Sequence, residues 1–375
     1  MTIQIRAEVY RRIEAMRGRP LIVYATSTRP NAVANIAADA ARELIDQIDA
    51  INASEREVDV LIHSMGGDAL AAWKLMSVIR ERFDKVFVLV PFMAFSAATI
   101  FALGADEIFM HPHASLGPID PQIRVSRQDG SQKHFAFEDV GAFLRFLNEE
   151  VGITEQAHLS AIVDRLFTEV DPVNVGAAKR ASELATDVGE RLLRMHMTSP
   201  EDRGRARAIA EGLNKSFFAH GDAVSRSRAG QLDLRVAEPD IELERLLWDA
   251  YTLIETHMEP RTAFVPVHLY LHADSTALPE LPGPLLLPSN APQQLVQQVW
   301  NAAAQQALQI AATGNPPVPF ALVQAIVESP RRASAVITEG VLIPLGFVDG
   351  QLLVEPSITA SGWRDVPVDL PTPAT

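Results

Sequence analysis

The sequence contains no cysteine, which excludes disulfide bonds, thiolate metal sites and a cysteine nucleophile. It also lacks any apolar run of about 18 residues, the length that a membrane-spanning helix requires. The N-terminal stretch, MTIQIRAEVYRRIEAMRGRP, is too rich in charged residues to form the apolar core of a signal peptide. From these absences we expect a cytoplasmic protein without a membrane span.

Positive charge is scarce relative to negative charge. The 375 residues include 33 Lys and Arg against 47 Asp and Glu, for a net charge of −14, and no run of basic residues stands out along the chain. This balance favours solubility and argues against nucleic acid as a partner. The length allows one large domain or two modest ones.

Strand-like and helix-like apolar patterns alternate through the first third of the chain. Short apolar runs predict strands at residues 21–25, 58–63, 86–90 and 107–110. Apolar residues that recur every three or four positions predict helices at residues 5–16, 31–50 and 69–83. This order predicts a largely parallel sheet with right-handed crossovers, in which ligand sites gather at the carboxyl ends of the strands.

A serine follows the third of these strands. Pro91 ends the apolar run, and Ser96 then begins a stretch of small residues that leads into an apolar helix ending near Gly104. The free N–H groups and the positive dipole end of such a turn can stabilise an oxyanion. Ser96 is therefore either a helix cap or a nucleophile.

A pair of glycines follows the second strand. Gly66 and Gly67 let the backbone turn sharply, approach a ligand and present N–H groups to an anion, although a tight turn alone also needs glycine. We expect Asp68 to cap the next helix. With Ser96 as nucleophile, we expect the Gly66–Gly67 turn and the Ala97 N–H to hold the oxyanion.

Three stretches together resemble a known family: LIHSMGGDALAAW, VPFMAFSAATIFALGADEIFM and ASLGPIDPQI. They are similar to the serine peptidases of the Clp protease/crotonase fold, in the branch called serine dehydrogenase proteinase, a relative of signal peptide peptidase A. The resemblance covers roughly residues 18–250. It implies an α/β fold, a Clp/crotonase-like βαβ superhelix with a parallel sheet, and a peptidase that forms an acyl-enzyme on Ser96. It also implies a homo-oligomer that cleaves peptide or protein substrates without a metal or cofactor.

The sequence offers several candidates for the base that would activate the serine. The candidate residues are His111, His113, His134, His220, Lys133 and Lys179. Clp peptidases place a histidine in the segment that here reads LGPIDPQ, which has none, whereas signal peptide peptidases use a Ser-Lys dyad. Lys133 stands just before a predicted helix, as in that dyad, and its alternative is a solvated surface lysine. His220 and Lys179 remain further candidates.

One position departs from the family pattern. Relatives commonly have Ser-Ala-Gly-Thr where this chain has Ser96-Ala97-Ala98-Thr99. The added methyl group of Ala98 either narrows the site or marks a lost activity.

The later part of the chain divides into two regions. Helices are predicted at residues 136–150, 153–168, 174–197 and 240–256, and residues 217–236 resemble the family's closing strand, helix and strand. Beyond Glu259 proline becomes frequent, so we divide the chain into a peptidase domain, 1–258, and a small α+β extension, 259–375, which is either an appendage or an oligomerisation region. In this extension we expect a strand at 264–272, a helix at 291–312 and short strands within 335–355.

Two other functions share the fold that the resemblance implies. A crotonase-like enzyme acting on acyl-CoA thioesters would place a glutamate near the site, and none stands beside Gly67 or Ser96. A non-catalytic scaffold would keep the fold and the oligomer with an unreactive Ser96.

Overall fold

A computed structural model describes residues 3–126, 132–215, 223–273, 292–314, 316–348 and 351–368. The first third alternates strands and helices as the sequence predicts. Its elements are α1 (Ile3–Arg17), β1 (Leu21–Thr26), α2 (Ala40–Asp49), β2 (Glu57–His63), α3 (Ala69–Arg82), β3 (Lys85–Val90), β4 (Met93–Ala94), α4 (Ala97–Ala102) and β5 (Glu107–Met110).

The middle of the chain is mainly helical. Its elements are β6 (Ser115–Leu116), β7 (Gln122–Ser126), β8 (Gln132–Ala136), α5 (Phe137–Arg145) with a π-helical end (Phe146–Glu150), α6 (Gln156–Glu169), α7 (Pro172–Leu193), α8 (Asp202–Lys215), β9 (Val224–Ser225), α9 (Arg226–Gln231), β10 (Val236–Ala237) and α10 (Ile241–Met258). The predicted helices are confirmed, whereas α8 was not predicted. Of the closing unit predicted at residues 217–236, residues 217–222 lie outside the described residues, and the rest forms the strand, helix and strand β9–α9–β10.

The C-terminal part contains two helices and three long strands. They are α11 (Pro266–Leu271), α12 (Gln293–Gly314), β11 (Val318–Glu328), β12 (Ala333–Val348) and β13 (Gln351–Val366). The predicted helix at 291–312 is confirmed, but the strands are longer than predicted and begin earlier.

The central sheet has eight strands in the order β10-β5-β3-β2-β1-β11-β12-β13. The strands from β10 to β1 are parallel, and β11, β12 and β13 join antiparallel, with β11 pairing directly with β1. The predicted α/β fold with a parallel sheet is confirmed. Because β11 pairs with β1, the C-terminal strands continue the central sheet, and the domain boundary at residue 258 stays a prediction.

Neighbouring residues of the parallel strands face two separate cores. Val60 of β2 belongs to a core formed with α2, α3, α4, α7 and α8, while the adjacent Leu61 packs against α1 and α10. Strands buried on both faces are continuously apolar, which is why the sequence pattern identified them. Buried hydrogen bonds join α1 to β11. Arg6 and Tyr10 of α1 both donate to the carboxylate of Glu328 on β11.

The predicted helix at residues 31–50 begins only at Ala40. Before it, Asn31 has a left-handed φ of 65°. The Ala34 N–H donates to the Ser27 carbonyl at 2.9 Å, and the Ile36 N–H donates to the Gly66 carbonyl at 2.7 Å. Because tertiary partners hold these N–H groups, the segment makes no helical hydrogen bonds at these positions.

The predicted strand at residues 264–272 was wrong, because α11 lies there. Pro266 occupies the first turn of this helix, where its missing N–H costs nothing. Phe264 and Tyr270 pack with Leu322 and Leu342 of the neighbouring strands. Phe264, just before the helix, and Tyr270, within it, are buried, whereas Leu269 and Leu271 are exposed.

No helix among the described residues combines the length and the apolar character needed to cross a bilayer.

Candidate active site

The two predicted motifs lie at the carboxyl ends of adjacent parallel strands. The Gly66–Gly67 turn follows β2, and the segment leading to Ser96 follows β3, which pairs with β2. A short bridge joins them, since Ser64 pairs with Ala94 of β4. The topology therefore brings together residues that are separated in the sequence, at the edge where α/β sheets bind ligands.

Ser96 has an unusual backbone conformation. It precedes α4 with φ of 51° and ψ of −116°, a region that non-glycine residues rarely adopt. Its side chain makes no capping hydrogen bond, although it occupies the N-cap position. By contrast, the Asp68 carboxylate caps α3 by accepting from the Leu70 and Ala71 N–H groups, as predicted. The hydroxyl of Ser96 is thus not used for the capping that was its alternative role.

The glycine turn lies directly against the serine. Gly66 has a φ of 116°, and a Cβ atom added to it would stand 2.7 Å from the Ser96 Cβ and 2.8 Å from the Phe95 carbonyl oxygen. Gly67 has a φ of 149°, and an added Cβ would stand 2.4 Å from the Ile36 carbonyl oxygen. Both positions therefore require glycine for close approach as well as for backbone conformation.

Among the described residues, two backbone N–H groups lack acceptors where the glycine turn meets the start of α4. Among the described residues, neither the Gly67 N–H nor the Ala97 N–H donates to a backbone or side-chain acceptor. The Ala97 nitrogen would stand 3.2 Å from a Cβ on Gly66, so the turn and the start of α4 are in contact. Their use as oxyanion donors stays a prediction.

Thr99 joins the serine turn to the LGPIDPQ segment, a role that the sequence did not indicate. Its buried hydroxyl donates to the Ala94 carbonyl at 2.7 Å and accepts from the Gly117 N–H at 3.0 Å. A Cβ on Gly117 would contact the Phe95 ring at 3.0 Å. Ala98, the departure from the family pattern, is fully buried in the core, where its methyl group fits.

The histidines after β5 pack against α10. His111 stacks on Trp248 with ring centroids 5.1 Å apart, and its Nδ1 accepts from the His113 N–H at 3.1 Å. Burial, followed by the charge of His113, lowers the pKa of His111. These contacts give both histidines structural partners at the end of the strand.

The lysine candidates differ in their surroundings. Lys179 lies on α7, is more than half exposed and pairs with Glu183 at 3.8 Å, as expected of a solvated residue. Lys133 lies on β8, where its backbone pairs with Val125 of β7; its side chain and that of His134 are outside the described part of the structure. His220 lies outside the described residues.

His63 is a buried residue at this edge that sequence reasoning missed. It ends β2, three positions before Gly66, and its ring lies 5.1 Å from that of Tyr251 on α10. Its Nδ1 is buried without a hydrogen-bond partner among the described residues. Because successive strand residues alternate, His63 faces α10 while Ser64 faces the glycine turn.

We expect acid to destabilise the fold through His63. Burial lowers the pKa of His63 to about 4 from an ordinary value near 6.5. Between these values the unfolded chain binds a proton that the folded chain does not, so the stability is complete above pH 6.5 and falls as the pH drops toward 4. The loss attributable to this residue is about 3 kcal/mol.

Urea unfolding at a series of pH values, from about one unit above to about two units below the ordinary histidine pKa, checks this expectation. His63→Phe retains an aromatic ring beside Tyr251 and is expected to flatten the pH dependence. His268→Phe, on the exposed surface of α11, is the matched control and is expected to keep the wild-type slope. Equal slopes for all three proteins would refute the role of His63.

Comparisons with known proteins agree with the sequence motifs. Residues 2–130 match the family model of the ClpP-like SDH-type serine proteinases. Two proteins of Methanocaldococcus jannaschii, both described as uncharacterized, are also similar. MJ1495 is 42% identical over 66 residues, covering 18% of this chain and 23% of its own length. MJ0137 is 39% identical over 69 residues, covering 18% of this chain and 24% of its own length.

Two solved structures of the membrane-bound stomatin-specific protease 1510-N are also similar. A serine-to-alanine variant has 16% identity and a TM-score of 0.35, over 61% of this chain and 84% of that one. A lysine-to-alanine variant in complex with a substrate peptide has 17% identity and a TM-score of 0.33, over 60% of this chain and 78% of that one.

The family match covers the part of the chain that contains both motifs, from β1 through the LGPIDPQ segment. The glycine turn, the serine turn and the parallel strands β1, β2, β3 and β5 all lie within it, whereas β10 and the three antiparallel strands lie beyond it. Over residues 2–130 this chain is similar to the ClpP-like SDH-type serine proteinases.

Proposed function

We propose that this protein is a serine peptidase that cleaves peptide bonds through an acyl-enzyme on Ser96. The observation that carries the proposal is the Ser96 turn itself: a strained serine, without a capping bond, in contact with a glycine turn. A strained backbone at a functional serine directs the hydroxyl toward the substrate instead of toward the N–H groups of the helix.

The proposed reaction has two steps. The Ser96 Oγ attacks the scissile carbonyl carbon while its proton moves to the neutral amine of Lys133. The Gly67 and Ala97 N–H groups stabilise the oxyanion of the tetrahedral intermediate. Lys133 then delivers the proton to the leaving amine as the C–N bond breaks, and water releases the acyl group by the reverse sequence of proton transfers.

Lys133 must be neutral when the serine attacks. Burial near apolar groups lowers a lysine pKa because it disfavours the ammonium form. Phe135, two residues later on β8, is buried against Val170 and Ala178, which supports apolar surroundings at this end of the strand. Lys179 is a weaker candidate because it is exposed and paired with Glu183.

We also propose that the active form is a homo-oligomer in the cytoplasm that acts on peptide or protein substrates without a metal or cofactor. The long C-terminal strands support association, because β13 is the last strand of the sheet among the described residues and exposes Ile358. Such an edge is a surface on which another chain can pair.

Intact mass after treatment with a fluorophosphonate tests the catalytic proposal. We expect a single adduct on the wild-type protein, none on Ser96→Ala, and a strongly reduced yield on Lys133→Ala. Lys179→Ala is the matched lysine control and is expected to react as the wild type does.

Two outcomes would contradict the proposal at different points. An unreactive wild-type protein in its native oligomer would refute the peptidase and favour a scaffold. Full labelling of Lys133→Ala, with none on Ser96→Ala, would keep the nucleophile and exclude Lys133 as its base.

A further inference from the structure

We propose that Ser64 and Thr26 are positioning residues that set the glycine turn against the Ser96 turn. This inference rests on the proposed function, because it assigns to two buried hydroxyl groups the alignment of the proposed oxyanion site. Neither residue contacts the reacting atoms in the proposed mechanism, and both act through Gly66.

The backbone of Ser64 holds the segment that carries the nucleophile. Its N–H donates to the Met93 carbonyl at 3.1 Å, and its carbonyl accepts from the Phe95 N–H at 3.0 Å. Phe95 immediately precedes Ser96, so these two bonds fix the start of the serine turn relative to the end of β2.

The side chain of Ser64 holds the glycine turn. Its Oγ accepts from the Gly66 N–H at 3.0 Å and lies 3.4 Å from the Gly66 carbonyl oxygen. One residue is thus bonded through its backbone to the serine segment and through its hydroxyl to the glycine segment. The separation of the two turns depends on the rotamer of this side chain.

Thr26 fixes that rotamer. Its Oγ1, at the end of β1, lies 2.7 Å from the Ser64 Oγ, and both side chains are buried. A hydrogen bond from Thr26 to Ser64 leaves the Ser64 proton for the Gly66 carbonyl, so every donor in the chain of bonds has an acceptor. The pair spans the carboxyl ends of β1 and β2, at the same edge as the site.

The orientation of the Gly66–Gly67 peptide group determines the direction of the Gly67 N–H. Its carbonyl accepts from the Ile36 N–H at 2.7 Å. In a planar trans peptide the N–H points opposite to the carbonyl, so the Gly67 N–H is directed away from Ile36. Ser64 on one side and Ile36 on the other therefore determine where this proposed oxyanion donor is aimed.

A purely structural role for the two hydroxyls predicts a different result. Buried hydroxyls that only satisfy each other would contribute to the unfolding free energy and leave the reactivity of Ser96 unchanged. A positioning role changes the rate of bond formation at Ser96, because a small displacement of an oxyanion donor weakens its bond in the transition state.

The kinetics of fluorophosphonate inactivation distinguish the two roles. In this reaction a Ser96 Oγ–phosphorus bond forms, the phosphorus–fluorine bond breaks, fluoride leaves and the serine proton goes to the base. For Ser64→Ala we expect the maximal inactivation rate to fall roughly 10- to 100-fold, less than removal of a donor outright. The concentration at half-maximal rate is expected to change by less than about two-fold, since initial binding does not use this bond.

Substitutions at Thr26 provide a matched pair. Thr26→Val keeps the shape of the side chain without the hydroxyl and is expected to lower the maximal rate by about 10-fold. Thr26→Ser keeps the hydroxyl and is expected to restore most of that rate. This pair decides the inference even if Ser64→Ala fails to fold.

A distant buried serine controls for general destabilisation. Ser182→Ala removes a hydroxyl that donates to Asn214 between α7 and α8, and it is expected to react as the wild type does. Wild-type rates in folded Ser64→Ala and Thr26→Val would overturn the positioning role and leave the peptidase intact. No adduct on the wild-type protein would overturn the proposed function itself, and the inference with it.

Discussion

Replacing Ser96 by glycine is expected to abolish peptidase activity and to raise the stability of the fold. The activity is expected to fall at least about 1,000-fold, because the proposed nucleophile is gone. The stability rises by about 1 kcal/mol, because glycine adopts the φ of 51° without strain and the Ser96 side chain makes no capping bond to lose. Peptide hydrolysis and urea unfolding measure the two effects.

Ser96→Ala is the control that separates the effect of backbone strain on stability from the effect of the lost hydroxyl on activity. Alanine also lacks the hydroxyl, so the activity is expected to fall as far as in Ser96→Gly. It has a Cβ and must adopt the same conformation, so no gain in stability is expected. An equal gain in both variants would show that the strain at Ser96 is not the cause, and hydrolysis by either variant would exclude Ser96 as the nucleophile.

Gly66→Ala is expected to impair the fold and the site together. The new methyl group would stand 2.7 Å from the Ser96 Cβ and 2.8 Å from the Phe95 carbonyl oxygen, and the φ of 116° disfavours any L side chain. We expect a loss of about 2–4 kcal/mol in the free energy of unfolding. The molecules that remain folded are expected to react with a fluorophosphonate about 100-fold more slowly, because the serine turn is displaced.

Gly176→Ala is the matched control. Gly176 lies within α7, and a Cβ added there would have no heavy atom within 4 Å apart from its chain neighbours and the backbone of its own helix. This variant is expected to gain about 0.5–1 kcal/mol from the better helix propensity of alanine, with unchanged reactivity. A Gly66→Ala protein as stable and reactive as Gly176→Ala would disprove the tight contact between the two turns.

Much of the α/β framework could be predicted from the sequence for a simple reason. The strands β1, β2 and β3 are covered on both faces, so their residues form continuous apolar runs. The glycine pair and the serine could also be predicted, because turns with close backbone contacts restrict the residues that fit. Both signals are local and do not depend on knowing which segments meet.

The errors arose where distant contacts decide local structure. Residues 31–39 lack a helix because the Ile36 N–H bonds to Gly66. The segment around α11 is helical, and its Phe264 and Tyr270 pack against strands from another part of the chain. In α8, the buried Ala206, Ile209 and Leu213 have helical spacing, but two glycines and many charged residues obscure it.

The sequence by itself determined the alternation of strands and helices, the two motifs and the resemblance to a family over residues 2–130. It did so because burial pattern, turn chemistry and residue type are properties of short segments. Only the tertiary structure decided that Ser96 is strained and makes no capping bond, that Gly66 touches it, and that Ser64 and Thr26 join the two turns. These relations depend on parallel strands ending at one edge, which places residues from separate segments within bonding distance of one another.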